Sequence, residues 1–128
     1  PAYCHNFFNT ELYYVKAPDA LPTGAVTVQY QFDFDGGAPG AGGSGTLLVN
    51  GDVVAEGRIE RTVPFVFSAD ETMDIGRDTA SPVTPDYPAG DANEFSGNLE
   101  WVQIDLGDDD VSHLESPEAT YHRILARQ

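Results

Sequence analysis

Positive charge is what this sequence has least of. Six Lys and Arg stand against 21 Asp and Glu, the formal net charge is −15, and Lys16 is the only lysine. Binding to nucleic acid or to an anionic membrane needs a basic patch, so both classes of partner are excluded. Capture of a free anionic substrate is disfavoured for the same reason. Cysteine is nearly absent too: Cys4 stands alone, which rules out an intramolecular disulfide framework. No apolar run approaches the ~18 residues of a membrane span. No signal peptide opens the chain, and Pro1 reads as a cut rather than a native start. The three histidines, His5, His113 and His122, share no spacing.

The length of 128 residues fits one domain with a real core, and the apolar content of 41% is that of a folded protein. Three explanations compete for the acidity: solubility, cation binding, or adaptation to salt. Solubility is the simplest.

The chain reads as a succession of strands. Val26, Val28, Tyr30, Phe32 and Phe34 alternate with polar residues, the period of a strand with one buried face. Asp33 and Asp35 fall on its polar phase, facing water or another domain. Upstream, residues 7–15 are aromatic-rich with apolar residues on both phases, as in a strand buried on both sides. Residues 18–24 supply a turn and residues 36–45 a flexible glycine loop, without the G-K-S/T of a phosphate-binding loop. Asn50-Gly51 is the clearest local signal: it suits a type I′ hairpin turn between strands 46–49 and 52–57. Further strands are expected at 58–62, 64–68, 73–75 and 95–106, the last broken or bulged near Gly97. Pro82, Pro85 and Pro88 make 79–90 an irregular loop.

The tail differs. Asp108, Asp109 and Asp110 form an acidic linker. Ser116-Pro117-Glu118 then has the chemistry of a helix start, with an N-cap serine, proline at the first helical position and an acid near the positive end of the dipole. Tyr121, Ile124 and Leu125 share one helical face, and Arg123 and Arg127 suit the C-terminal end. Residues 1–128 therefore form one antiparallel β-sandwich domain, of which 108–128 are linker and short C-terminal helix.

Several constellations invite chemistry. Asp74, Asp78, Asp86 and Asp91 are dense enough for a calcium site, although carboxylates in turns more often cap backbone N–H groups. Arg58, Arg61 and Arg77 form either a small anion site or ion pairs, with Asp70, Glu71 and Asp74 the neighbours in sequence. Trp101, Tyr13, Tyr14, Tyr30 and Tyr87 suit either sugar stacking or the core, and the mid-strand place of Trp101 favours burial. Cys4 beside His5 reads as structural, because sequence neighbours on a strand point apart.

The run from Glu56 to Tyr87 carries a family likeness. Glu56-Gly57-Arg58-Ile59, Thr62, Pro64-Phe65-Val66-Phe67-Ser68-Ala69-Asp70-Glu71, Asp74-Ile75-Gly76-Arg77-Asp78 and Asp86-Tyr87 resemble, in order and spacing, the C-terminal region of large bacterial arylsulfatases. The resemblance extends through Leu48-Val49-Asn50-Gly51 upstream, and through Phe95-Ser96-Gly97 and Val102-Gln103-Ile104-Asp105 downstream. The ending, with Ser116-Pro117-Glu118 and Ala126-Arg127-Gln128, is similar too, which implies that Gln128 lies at or near the true C-terminus.

That resemblance implies a concanavalin-like or laminin-G-like jelly roll, and a parent enzyme that hydrolyses sulfate esters with formylglycine and calcium. It also implies that this piece holds none of the active site. Formylglycine arises from the Cys or Ser of a C/S-x-P-x-R motif, and Cys4 has neither the proline nor the arginine. Sulfate chemistry needs cations around the leaving oxyanion, and few exist here. The expectation is a non-catalytic accessory domain with no catalytic, cofactor or metal residues, packing against the catalytic domain of the same chain, and capable of a weak homodimer when isolated. The alternative is a laminin-G-like carbohydrate- or calcium-binding module.

Overall fold

The structure is a computed structural model that describes residues 1–64, 73–79 and 81–107. These residues are all-β apart from one 3-10 turn. The strands are β1 (Ala2–Phe7), β2 (Glu11–Lys16), β3 (Val28–Phe34), β4 (Gly43–Val49) and β5 (Asp52–Ile59), and the 3-10 turn is Gly90–Asn93. They form two antiparallel sheets, a β1-β2 hairpin and a three-stranded sheet in the order β3-β4-β5. The C-terminal helix expected over 116–128 and the Phe65–Ser68 part of an expected strand lie outside the described residues. The chain divides into two compact units, Pro1–Ser96 and Gly97–Gln128.

In the first unit, the Asn50-Gly51 turn forms as its chemistry demands. Both residues have positive φ, 52° and 91°, and Val49 pairs with Asp52 across it. Asn50 is held further by its side chain, whose Oδ1 accepts the Thr27 N–H at 2.9 Å. Just past the turn, Leu48 pairs with Val53 and Leu47 with Ala55, so Val54 is an extra residue and β5 carries a bulge.

The expected single strand over 7–15 is instead a hairpin. The chain reverses at Phe8 and Asn9, both with positive φ, and the Thr10 N–H donates to the Phe7 carbonyl. Asn6 drives this locally, since its Oδ1 accepts the Asn9 N–H at 2.6 Å. Apolar residues on both phases have a reason, because the hairpin is contacted on both faces. Val15, on the inner face, meets Leu47 and Ile59, and these three are the fully buried apolar residues among those described. Tyr3 stacks on Tyr30 with ring centroids 3.7 Å apart. On the outer face, Asn6 and Tyr14 hold residues 83–84. Gly57 lets β2 approach β5, since a Cβ there would stand 3.0 Å from Val15 Cγ2 and 3.2 Å from the Tyr14 carbonyl.

Other expectations are corrected. Residues 73–75 and 95–106 form no strand, and regular pairing ends at Ile59, short of Thr62. Gly43 and Gly45 belong to β4 rather than to the glycine loop: they are buried, and a Cβ on either would strike the rings of Phe32 or Tyr30. The alternation of β3 gives the strand but not a buried face. Tyr30 is half-covered, whereas Val28, Phe32 and Phe34 are exposed, Phe34 by 50%. The second layer is only a two-stranded hairpin. It lies mainly on β5 and β4 and meets β3 through the Tyr3–Tyr30 stack, which leaves Val28, Phe32 and Phe34 exposed.

In the second unit, residues 97–107 carry no regular structure. Trp101 is 64% exposed, against the expectation of a buried mid-strand tryptophan.

Candidate functional site

The described residues from Asp74 to Phe95 form no regular strand, and they are shaped by side chains that take the place of a β-ladder. The Asp74 carboxylate accepts the Thr79 N–H at 2.8 Å and the Thr79 hydroxyl at 2.7 Å. Those bonds hold its pKa below the usual carboxylate value. The Asn93 amide clasps Asp78 through both backbone groups, accepting its N–H and donating to its carbonyl, each at 2.9 Å, and also donates to the Pro88 carbonyl. The Tyr87 hydroxyl donates to the Asp78 carboxylate at 2.6 Å while accepting the Val83 N–H at 3.0 Å. Burial, then the bond to Asp78, raises the Tyr87 pKa. The Phe95 N–H closes the segment on the Gly76 carbonyl at 2.6 Å.

Gly76, Arg77, Asp78, Tyr87, Asn93 and Phe95 line an open cavity of about 250 Å³. Its lining sets the Tyr87 and Phe95 rings beside polar side chains, of which Asp78 and Asn93 are held in the loop bonds just described. A mixed aromatic and polar lining is the kind that meets a small polar ligand such as one sugar ring.

The sequence-level metal cluster does not converge as a ligand set. Asp74 and Asp78 spend their carboxylates on the bonds just described, and the Asp91 side chain lies outside the described residues. Among those residues, no three His, Cys, Asp or Glu side chains come within ligating distance of a common point. Arg58 and Arg61 each have a partner that sequence distance hid. Arg58 pairs with Asp35 and, at 3.8 Å, with Glu60; Arg61 pairs with Glu11 and lies over the Phe7 ring, 4.4 Å from its centroid. Arg58 and Arg61 lower the pKa values of Asp35 and Glu11 respectively. Arg77 lies near Asp74 and contributes to its lowered pKa. Asp33 is exposed.

The tyrosines singled out for sugar stacking have other tasks. Tyr13 donates to Glu11 and stacks on His5 at 6.2 Å, Tyr30 stacks on Tyr3, and Tyr14 shares a 2.5 Å bond with the Thr84 hydroxyl. Cys4 is half-buried and free, with its pKa raised by burial, as befits a structural residue rather than a thiolate. Burial lowers the His5 pKa, and its Nε2 is shielded without a hydrogen-bond partner among the described residues. Sequence reading missed Thr84, Asn93 and Phe95. Pro85 and Pro88 around an Asp-Tyr pair signalled a shaped loop, but nothing local marked Asn93 as its clasp.

No known family pattern, no curated protein and no solved structure matches this chain.

Proposed function

We propose that this chain is a non-catalytic C-terminal accessory domain of an arylsulfatase-type sulfuric ester hydrolase that docks on the catalytic domain of its own polypeptide. The kinship rests on the motif order from Glu56 to Tyr87, and the wider jelly-roll arrangement with a final helix belongs to the same proposal. Formylglycine and calcium would be held by the parent's catalytic domain.

One observation supports a docking role. Leu99, Trp101, Val102, Ile104 and Leu106 are all exposed, Leu106 by 88%, in a chain with a formal net charge of −15. Gln103 donates to Asp105 at 2.9 Å, the two-residue spacing of side chains on one side of an extended segment. Val102, Ile104 and Leu106 are each exposed beside these two residues. A run of exposed apolar side chains of this kind marks an interaction site.

The reading frame upstream of Pro1 is the test. A C-x-P-x-R or S-x-P-x-R motif within the same frame agrees with the proposal, and an intact upstream frame without either contradicts it.

The cavity beside Tyr87 and Phe95 favours a second reading, a laminin-G-like carbohydrate-binding module. Saturable shifts of the Arg77 and Asn93 resonances on titration with neutral oligosaccharides would support it, and unchanged spectra at high sugar concentration would dismiss it.

A further inference from the structure

The open edge of the three-stranded sheet is unusual in what it omits. Natural edge strands are protected by charges, proline or bulges, because unpaired N–H and C=O groups recruit other strands. The β5 edge follows that rule, with its bulge at Val54 and its Asp52, Glu56 and Arg58. The β3 edge does not. Among the described residues no strand pairs with its outer side, and Val28–Phe34 holds neither proline nor bulge and one charge, Asp33. That composition stands out in a chain with 21 acids.

The pairing with β4 fixes which groups face outward. Asp35 donates to the Gly42 carbonyl and Asn50 to the Thr27 carbonyl, and the strands run in register between these two pairs. Residues 27 and 35 thus sit at closely hydrogen-bonded pairs, and with the period of two so do 29, 31 and 33. The N–H and C=O groups of Val28, Tyr30, Phe32 and Phe34 therefore point to the open edge. These same residues carry the half-exposed apolar face.

We propose that β3 pairs antiparallel with β3 of a second copy of this chain, about a two-fold axis through Gln31. Only registers that match even-numbered residues with even-numbered residues satisfy both edges, and this one uses all four. Val28 meets Phe34 of the second copy and Tyr30 meets Phe32, each as a hydrogen-bonded pair. On the polar face, Gln29 stands opposite Asp33 and Gln31 opposite its own equivalent, so no two carboxylates face each other. The exposed rings of Phe32 and Phe34 gain cross-strand apolar neighbours, pairs that stabilise sheets. The two sheets become one, with three strands from each copy. Net charge opposes this, since each copy brings −15. Association therefore strengthens with salt, as screening removes the long-range repulsion and leaves the short-range pairing intact.

The inference is independent of the sulfatase reading. Sedimentation equilibrium of the 128-residue chain should reveal a reversible dimer. Its dissociation constant should fall by about tenfold or more as ionic strength rises from about 0.01 M to about 1 M, over which the Debye length shrinks from about 30 Å to about 3 Å. The register has its own test in a Cys4→Ser background. Gln31 and its equivalent form a non-hydrogen-bonded pair with Cα atoms roughly 4.5 Å apart, within disulfide reach. Gln31→Cys should cross-link under mild oxidation at least about tenfold faster than Gln29→Cys, which stands opposite Asp33, about four residues along the strand from its own equivalent. Val28→Pro removes an outward N–H without touching the β4 ladder, so it should weaken the dimer while the far-ultraviolet spectrum is retained. A chain that stays monomeric at high salt and high concentration overturns the proposal, as does equal cross-linking of the two cysteine variants.

Discussion

The Tyr14 and Thr84 hydroxyls lie 2.5 Å apart, although 70 positions separate them in the chain. Thr84 is the buried polar residue among those described, and its oxygen also accepts the Asp86 N–H at 3.2 Å. The pair fastens the irregular 81–88 segment to the outer face of the hairpin. It is helped by the Asn6 amide, which donates to the Val83 carbonyl at 2.8 Å. Thr84→Val leaves the Tyr14 hydroxyl without this partner and should cost about 1–3 kcal/mol. Tyr14→Phe alone should cost a similar amount, and the double variant should cost less than the sum. Urea denaturation of the four proteins measures the coupling, and strict additivity would show that the bond does not form in solution.

The core is small, so it should be sensitive. Ile59 and Leu47 are exposed by 1% and 2%. Ile59→Ala or Leu47→Ala should each cost about 2–5 kcal/mol, a large part of the roughly 5–15 kcal/mol by which domains are stable. Val53→Ala, at an exposed position of β5, should change stability by about 0.5 kcal/mol or less. Denaturant midpoints check both, and similar losses at Ile59 and Val53 would contradict the assigned core.

The turn at Gly51, with φ of 91°, predicts a cost for any side chain. Gly51→Ala meets open space, so its penalty is backbone strain alone, about 1–2 kcal/mol. Gly57→Ala carries no such strain but crowds Val15 and the Tyr14 carbonyl, and overpacking of that kind costs about 1–3 kcal/mol. Val15→Ala empties part of the core in any background, but it should cost less in Gly57→Ala, where it relieves the crowding, than in Gly51→Ala. Equal effects of Val15→Ala in both backgrounds would remove the packing argument.

Stability should form a plateau in pH. Burial depresses the His5 pKa below 6.5, so folding favours the neutral ring; its contribution is present above 6.5 and is lost as pH falls toward the folded value. Glu11 and Asp35, depressed by their arginines, are lost further down, below their ordinary values of 4.5 and 3.8. At the alkaline end Cys4, Tyr3 and Tyr30 are raised by burial. Their contributions are intact below ordinary values of 9.0 and 10.0 and vanish as pH climbs through the folded ones. Denaturant midpoints should be flat from 6.5 to 9.0 and fall outside that window. His5→Phe should abolish the first acid step, and its persistence would assign that step to another group.

Local chemistry was legible from sequence and coverage was not. Asn50-Gly51 dictates its turn by backbone preference, and 26–34 dictates its strand by side-chain phase. Whether that strand's apolar face is covered depends on the size of the opposing layer, which no feature of 26–34 encodes. The Phe8-Asn9 reversal was hidden because aromatic residues on both sides masked a turn set by Asn6 and Asn9. The arginine partners were legible only in part: Arg77 lies near Asp74, as sequence proximity suggests, but Arg61 meets Glu11 and Arg58 meets Asp35 across the fold. The clasp by Asn93 depends on a loop closure that only assembly creates.

Docking through the 99–106 stretch is the central claim, and Trp101 gives direct access to it because it is the sole tryptophan. The chain grown with 5-fluorotryptophan carries one fluorine resonance, from a side chain that is 64% exposed. That resonance should be solvent-accessible in isolation. On titration with the unlabelled catalytic domain proposed above, it should shift, broaden and lose its solvent isotope effect, and Ile104→Ser should weaken the response without lowering the thermal midpoint of the isolated chain. A resonance unchanged at saturating concentrations of that domain would contradict the account.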